Sequence, residues 1–207
     1  MSTTTLEVYA DIWCPFAHVG LRAAKLVRDR CPAGPLPMVI HAWPLELVNG
    51  VAMDPTKTAE HVRELREQAA PELFAGFDHA NFPSTSLPAL ALAALAYKVD
   101  APTGEAVSLA LRDALFELGQ DIADQRILEE LGGRFGVALG REIDLGGVHE
   151  DWRSGQVRGV KGSPHFFSAN ADAFCPALDI ERDAQGHLSL RRAATQLETF
   201  LEGCFEL

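Results

Sequence analysis

A short strand that runs straight into a Cys-Pro step is the feature that most narrows the fold of this 207-residue chain. Leu6, Glu7, Val8, Tyr9 and Ala10 alternate as a strand, and Asp11, Ile12, Trp13, Cys14 and Pro15 follow at once. Pro15 suits the first turn of a helix, where a missing N–H costs nothing. Val19, Leu21, Ala23, Ala24, Leu26 and Val27 then supply an apolar helical face, which should end before Pro32. Gly34 and Pro35 mark a turn. Residues 38–43 read as a second strand, too apolar for an exposed edge. Strand, helix, strand predicts a right-handed crossover and a parallel pair.

From about Asp54 to Val160 the pattern is helical. Asp54-Pro55 reads as an N-cap with proline at the first helical position, ahead of His61, Val62 and Leu65. Ser86 opens an Ala/Leu-rich helix through Tyr97. Thr103 is read as the cap of another, with Val107, Leu111, Leu115 and Leu118 on one side. Asp124 caps a fourth, and residues 144–158 form a fifth, less regular candidate. Strand character returns after Gly162 at His165, Phe166 and Phe167. Asn170, Ala171 and Asp172 are turn chemistry, and 174–180 reads as extended. Asp183, Ala184, Gln185 and Gly186 make another turn. Leu197, Phe200, Leu201 and Cys204 mark one face of a closing helix. The first and last parts share one sheet if the helical block is inserted between them.

Charge excludes some partners. Eighteen Lys and Arg against 29 Asp and Glu leave a formal net charge of −11, which repels phosphate backbones and anionic membranes. The Gly133-Arg134-Phe135-Gly136 step has the spacing of an RNA-binding loop, but an acidic chain makes that reading poor. The longest uncharged stretch, 81–97, carries Pro83 and Pro88 and reads as a loop entering a buried helix, not a membrane span. The first residues have neither a basic nor an apolar signal segment, so a cytoplasmic, reducing location is expected. The four cysteines, Cys14, Cys31, Cys175 and Cys204, form no Cys-x-x-Cys and no zinc spacing, so they are expected as free thiols without a metal.

Cys14 stands where a strand ends and a helix begins. Unpaired N–H groups and the positive end of the helix dipole favour a thiolate there. His18, four residues on, lies one turn along the same face and can pair with it; the competing reading is a packed histidine. For Cys14 the competing reading is a thiol buried under Trp13. Asp11 reads as a cap or turn residue at the helix start.

The segment from Asp11 to Gly20 resembles the active-site segment of the DsbA-like branch of the thioredoxin superfamily. It is most similar to the FrnE-type subgroup and to its relatives, the 2-hydroxychromene-2-carboxylate isomerases and kappa-class glutathione transferases. His41 to Leu47 resembles the end of that family's second strand, and Gly159 to Phe166 resembles the segment around its cis-proline. The resemblance implies an α/β, thioredoxin-like fold with an inserted all-helical domain: residues 1–48 and 157–207 for the first, 49–156 for the second. It implies Cys14 as nucleophile and Pro164 as the cis-proline; His18, the candidate charge partner of Cys14, is a departure, since the family usually has an aromatic there. It places substrate against Trp13, Pro15, Phe16, Ala17, Ser163, Pro164 and His165, with the Ser163 backbone open to an extended peptide or to glutathione. No resident cofactor is implied, only glutathione or another low-molecular-weight thiol as co-substrate. Relatives of this kind are often homodimers.

One departure matters most. The family's second active-site cysteine is replaced by Ala17. A single thiolate opens a disulfide but stays trapped as a mixed disulfide until another thiol arrives. Cys31 lies at the far end of the first helix, Cys204 on an apolar helical face, and Cys175 is not placed by its neighbours. Three readings follow. The first is a thiol-disulfide oxidoreductase with one active-site cysteine, acting on a small-molecule or protein disulfide. The second is a thiol-dependent isomerase or transferase, which Ala17 favours and Cys14 disfavours. The third is a non-catalytic thioredoxin-like binding module.

Overall fold

The computed structural model describes residues 5–30, 38–140, 142–184 and 187–205, the last three by their backbone. Cys31, the turn at Gly34 and Pro35, Gln185, Gly186 and the side chain of Cys204 lie outside the described residues. Strand β1 (Leu6–Ala10) leads into helix α1 (Pro15–Arg28) and back to strand β2 (Met38–Ala42). Six helices follow: α2 (Leu45–Asn49), α3 (Pro55–Gln68), α4 (Leu87–Tyr97), α5 (Ala101–Phe116), α6 (Gln125–Arg134) and α7 (Gly146–Arg158). The chain closes with β3 (His165–Phe167), β4 (Asp172–Phe174), β5 (Leu178–Arg182), β6 (Leu188–Arg192) and α8 (Ala194–Phe205).

Four strands share one sheet in the order β2-β1-β3-β4. β1 and β2 are parallel, and β1–β3 and β3–β4 are antiparallel. The N-terminal and C-terminal parts of the chain therefore pair directly, with Val8 opposite Ile40 on one side and Phe166 on the other. One apolar cluster fills the space between this sheet and helices α1 and α8, with Val8, Leu21, Ile40, Phe166, Leu197 and Leu201 at its centre. A second runs from Ile12 and Trp13 through helices α3 to α6. Helix α4 is apolar on nearly every face, which fits its central place in that block.

Several sequence expectations shift. The fourth helix of the chain's helical run, α5, starts at Ala101, not Thr103: the Asp100 carboxylate caps it by accepting the Thr103 N–H at 2.7 Å. It ends at Phe116, so Leu118 is exposed instead of lining the core. The extended run expected at 174–180 breaks at Cys175 into strands of two different sheets, β4 and the hairpin β5–β6. Gln68 of α3 bonds that hairpin, donating to the Leu188 carbonyl at 3.1 Å and accepting the Leu190 N–H at 2.9 Å. α2 is a five-residue helix directly after the segment that resembles the end of the family's second strand.

Strand β2 is an edge strand after all, yet it is not open. Three outward N–H groups and the Met38 C=O are taken by side chains of the helical block. The Glu105 carboxylate accepts the Met38 N–H at 3.1 Å and is itself paired with Arg28 at 2.6 Å. The Tyr97 hydroxyl accepts the Ile40 N–H at 2.8 Å and donates to the Met38 carbonyl at 3.0 Å. Asp151 accepts the Ala42 N–H at 2.8 Å and holds the His41 ring at 2.7 Å. Helices α4, α5 and α7 thus blunt the edge where a further strand would otherwise add.

α7 approaches the sheet closely at Gly155. A Cβ there would lie 2.5 Å from the Trp43 ring and 3.0 Å from the Tyr9 ring, both buried. Gly155→Ala should lower stability by about 1–3 kcal/mol through overpacking, despite the better helix propensity of alanine. The denaturant midpoint, with the slope unchanged, measures it; a midpoint equal to wild type would show that the Trp43 ring gives way.

Candidate active site

Cys14 is the N-cap of α1, with extended backbone (φ −81°, ψ 113°) and Pro15 at the first helical position. Its carbonyl accepts the first helical bond, from the His18 N–H at 3.1 Å. The end of β1 and the start of α1 therefore aim the Cys14 sulfur at the segment that precedes β3. That segment contains a cis peptide between Ser163 and Pro164. The Cys14 thiol donates to the Ser163 carbonyl at 3.2 Å, and the Ser163 hydroxyl accepts the Asp11 N–H at 2.9 Å. α1 packs tightly over the proline: a Cβ on Gly20 would sit 3.1 Å from Pro164 Cγ.

Cys14 is only 3% exposed. Burial pushes its thiol up from the ordinary value, and the Asp11 carboxylate adds to that. The Ser163 side chain and the N–H groups of Ala17 and Phe16 act in the opposite direction, favouring the thiolate, but desolvation wins. The expectation that the helix start favours a Cys14 thiolate is met by these donors but outweighed by burial. The helix terminus is present, but it offsets burial only in part.

Asp11 is the second ionisable group of the site. It is fully buried, and desolvation raises its carboxyl to about 6 despite hydrogen bonds from Leu45, Ser86 and Trp13 and the charge of Arg112. Arg112 is also fully buried, donating to the Asp11 carbonyl at 3.2 Å and to Ser108 at 2.6 and 2.8 Å. Burial holds its guanidinium down, to about 10. Neither role was visible from local pattern. Asp11 had a signal in its spacing to Cys14; Arg112 had only the oddity of a charge among the apolar residues of α5.

His18 is not placed as the partner of Cys14. Its ring is buried between Phe74 and Phe116, and Nε2 lies 2.7 Å from Glu117 Oε1. Burial lowers the imidazole, against the pull of Glu117. The Glu117 carboxyl is held down to about 2: burial opposes ionisation, but His18 and the Phe74 and Ala75 N–H groups outweigh it. A neutral imidazole donating to a carboxylate fits both directions. The pair pins the loop at Phe74, whose φ is 66°.

His165 is likewise corrected as a substrate contact. It is 1% exposed, its Nε2 lies 2.9 Å from Asp172, and its Nδ1 accepts the Lys161 N–H at 3.1 Å. Trp13, Pro15, Ala17 and Pro164 are buried too. The Trp13 indole stacks on Phe82, ring centroids 5.8 Å apart, and its N–H has no partner among the described residues. Only Phe16 and Ser163 of the expected contact residues reach solvent. Phe16 packs beside His61, with centroids 5.3 Å apart. Among the described residues no group of three or more His, Cys, Asp or Glu side chains gathers as metal ligands, and no helix is long and apolar enough to cross a membrane.

No protein-family model and no curated protein matches the chain. Solved structures do. The chain is similar to the cytosolic disulfide reductase DsbM from Pseudomonas aeruginosa with glutathione, at 17% identity and TM-score 0.59, covering 98% of this chain and 100% of that one. It is similar to a "probable DsbA oxidoreductase" from Streptomyces coelicolor at 18% identity and TM-score 0.65, covering 98% and 90%. It is similar to a 2-hydroxychromene-2-carboxylate isomerase at 13% identity and TM-score 0.54, covering 82% and 88%. At such identities the likeness establishes the fold alone: α/β and thioredoxin-like, with inserted helices.

Labelling of Cys14 by iodoacetamide should be slow at about pH 7 and should rise steeply only above the ordinary thiol range of about 8.5. Asp11→Asn removes a charge that disfavours the thiolate, and should speed labelling at neutral pH by about threefold or more. Mass mapping of labelled peptides from folded protein reads both. A Cys14 rate that titrates below the ordinary range would reverse the assignment of burial as the dominant effect.

Proposed function

We propose that the protein is a DsbA-like thiol-disulfide exchange enzyme whose nucleophile is Cys14, with glutathione or another low-molecular-weight thiol as co-substrate. The observation that carries this reading is the Cys14 thiol at the start of α1, bonded to the Ser163 carbonyl beside Pro164. The glutathione in the Pseudomonas relative supports a thiol of that kind.

The chemistry follows from the residues in place. Burial disfavours the Cys14 thiolate, so the thiol proton passes to solvent before attack. The buried Asp11 carboxyl, raised to about 6, opposes that step while it is charged and not when it is neutral. As the proton leaves, the N–H groups of Phe16 and Ala17 and the Ser163 hydroxyl hold the thiolate. The substrate disulfide enters over Phe16 and Ser163, the two contact residues that reach solvent. Attack forms a mixed disulfide at Cys14 and expels the other sulfur as a thiol. Ala17 has no sulfur with which to complete the cycle. A reducing, cytoplasmic location supplies the small thiol this requires.

The test is turnover of a small disulfide, bis(2-hydroxyethyl) disulfide, with glutathione as reductant. Wild type should exchange, and Cys14→Ser should lose about a hundredfold or more while keeping its fold by circular dichroism. Wild-type protein that binds glutathione but turns nothing over would sink the enzyme reading and leave the binding module.

A further inference from the structure

The break in the extended run after β4 falls on a cysteine. Cys175 has φ 49°, in the left-handed region that favours glycine, and it is 5% exposed. Its N–H donates to the Pro164 carbonyl at 3.0 Å. The Cys14 thiol donates to the carbonyl just before, that of Ser163, at 3.2 Å. Two cysteines far apart in sequence are thus anchored to consecutive carbonyls of one dipeptide. One comes from the start of α1, the other from the end of β4. Both are free, buried thiols.

Resting on the exchange reading above, we propose that Cys175 is the resolving thiol for Cys14, supplying the sulfur that Ala17 cannot. The order of attack follows from their surroundings. Burial and then the charge of Cys14 hold the Cys175 thiol up, to about 12, while the Phe16 and Ala17 N–H groups at the start of α1 favour a thiolate on Cys14, so Cys14 is the attacking sulfur. Once Cys14 is tied into a mixed disulfide it carries no charge, and that part of the restraint on Cys175 is lifted at the step that needs its thiolate. Cys175 also lies between β4 and β5, in neither strand, so moving it toward Cys14 strains its own bonds to Pro164 and Leu178 and leaves the pairs within the strands in place. The bridge requires Cα atoms about 4.4–6.8 Å apart.

The steps balance. Cys14 thiolate attacks a disulfide R–S–S–R′; the Cys14–S–R bond forms and R′–S⁻ leaves, taking up the proton that Cys14 released. Cys175 sulfur then attacks Cys14 Sγ. The Cys14–Cys175 bond forms, and R–S⁻ leaves as a thiol with the proton from Cys175. Two low-molecular-weight thiols reduce the internal bridge in turn and depart as their own disulfide. The substrate disulfide is reduced by two electrons and the small thiols are oxidised by two.

Oxidised glutathione offered to wild type, Cys175→Gly and Cys14→Ser, followed by intact mass and non-reducing peptide mapping, tests this. Wild type should pass through a Cys14–glutathione adduct and finish two hydrogens lighter, with the Cys14 and Cys175 peptides linked. Cys175→Gly, whose glycine suits the backbone at that position, should stop at the adduct. Cys14→Ser should form neither. The linked wild-type peptide decides the question even if a variant fails to fold. A persistent glutathione adduct at Cys14 in wild type, or a bridge from Cys14 to Cys31 or Cys204, overturns the proposal and leaves the exchange reading intact. No glutathione at Cys14 in wild type or Cys175→Gly, and no bridge, overturns both.

Discussion

Three hydrogen bonds meet on the Ser163–Pro164 dipeptide. The Asp11 N–H reaches the Ser163 hydroxyl, the Cys14 thiol reaches the Ser163 carbonyl, and the Cys175 N–H reaches the Pro164 carbonyl. Each is worth only about 0.5–1.5 kcal/mol net, so their importance is geometric more than energetic. They bring the end of β1, the start of α1 and the end of β4 to one point. Leaving any of these buried groups unpaired would be worse than never having the pair, since desolvation would go uncompensated. The close packing of Gly20 over Pro164 fixes α1 against the same point.

The helical block serves the sheet as well as covering the site. A four-stranded sheet with β2 on its edge exposes a row of main-chain donors and acceptors. Glu105, Tyr97 and Asp151 engage Met38, Ile40 and Ala42, alternate residues along that edge. The contact is polar and specific in register, whereas the apolar clusters fix only the approximate approach of the layers. Arg28 and Glu105 extend it to α1, the helix that carries Cys14 at its start.

The electrostatics of the site are a contest between burial and donors, and the outcomes differ by residue. At Cys14 and Asp11 burial wins and both groups are pushed toward their neutral forms. At Glu117 the donors win and the carboxylate is held ionised. Glu117 is part-exposed and Asp11 is not, which is the difference in desolvation that decides the sign. The buried Asp11 charge and the buried Cys14 thiolate disfavour one another. A neutral imidazole on a firm carboxylate is a structural tie.

Local chemistry made several features legible from residues alone. The strand before Cys14, Pro15 in the first helical turn, the Asp54 cap and the all-apolar α4 follow from forces acting within a few residues. The resemblance around Asp11 to Gly20 added the fold, because that segment carries the junction on which the sheet is built. Partners across the chain were not legible. His18 stands one turn from Cys14 on the same helix, yet the packing of Phe74 and Phe116 turns its ring to Glu117. Cys175 looked like part of a strand because periodicity senses burial and not the sign of φ. Sequence alone determined where Cys14 sits on its helix. Only the tertiary structure decided how far that thiol is desolvated and what faces it, because both depend on surfaces brought together from distant parts of the chain.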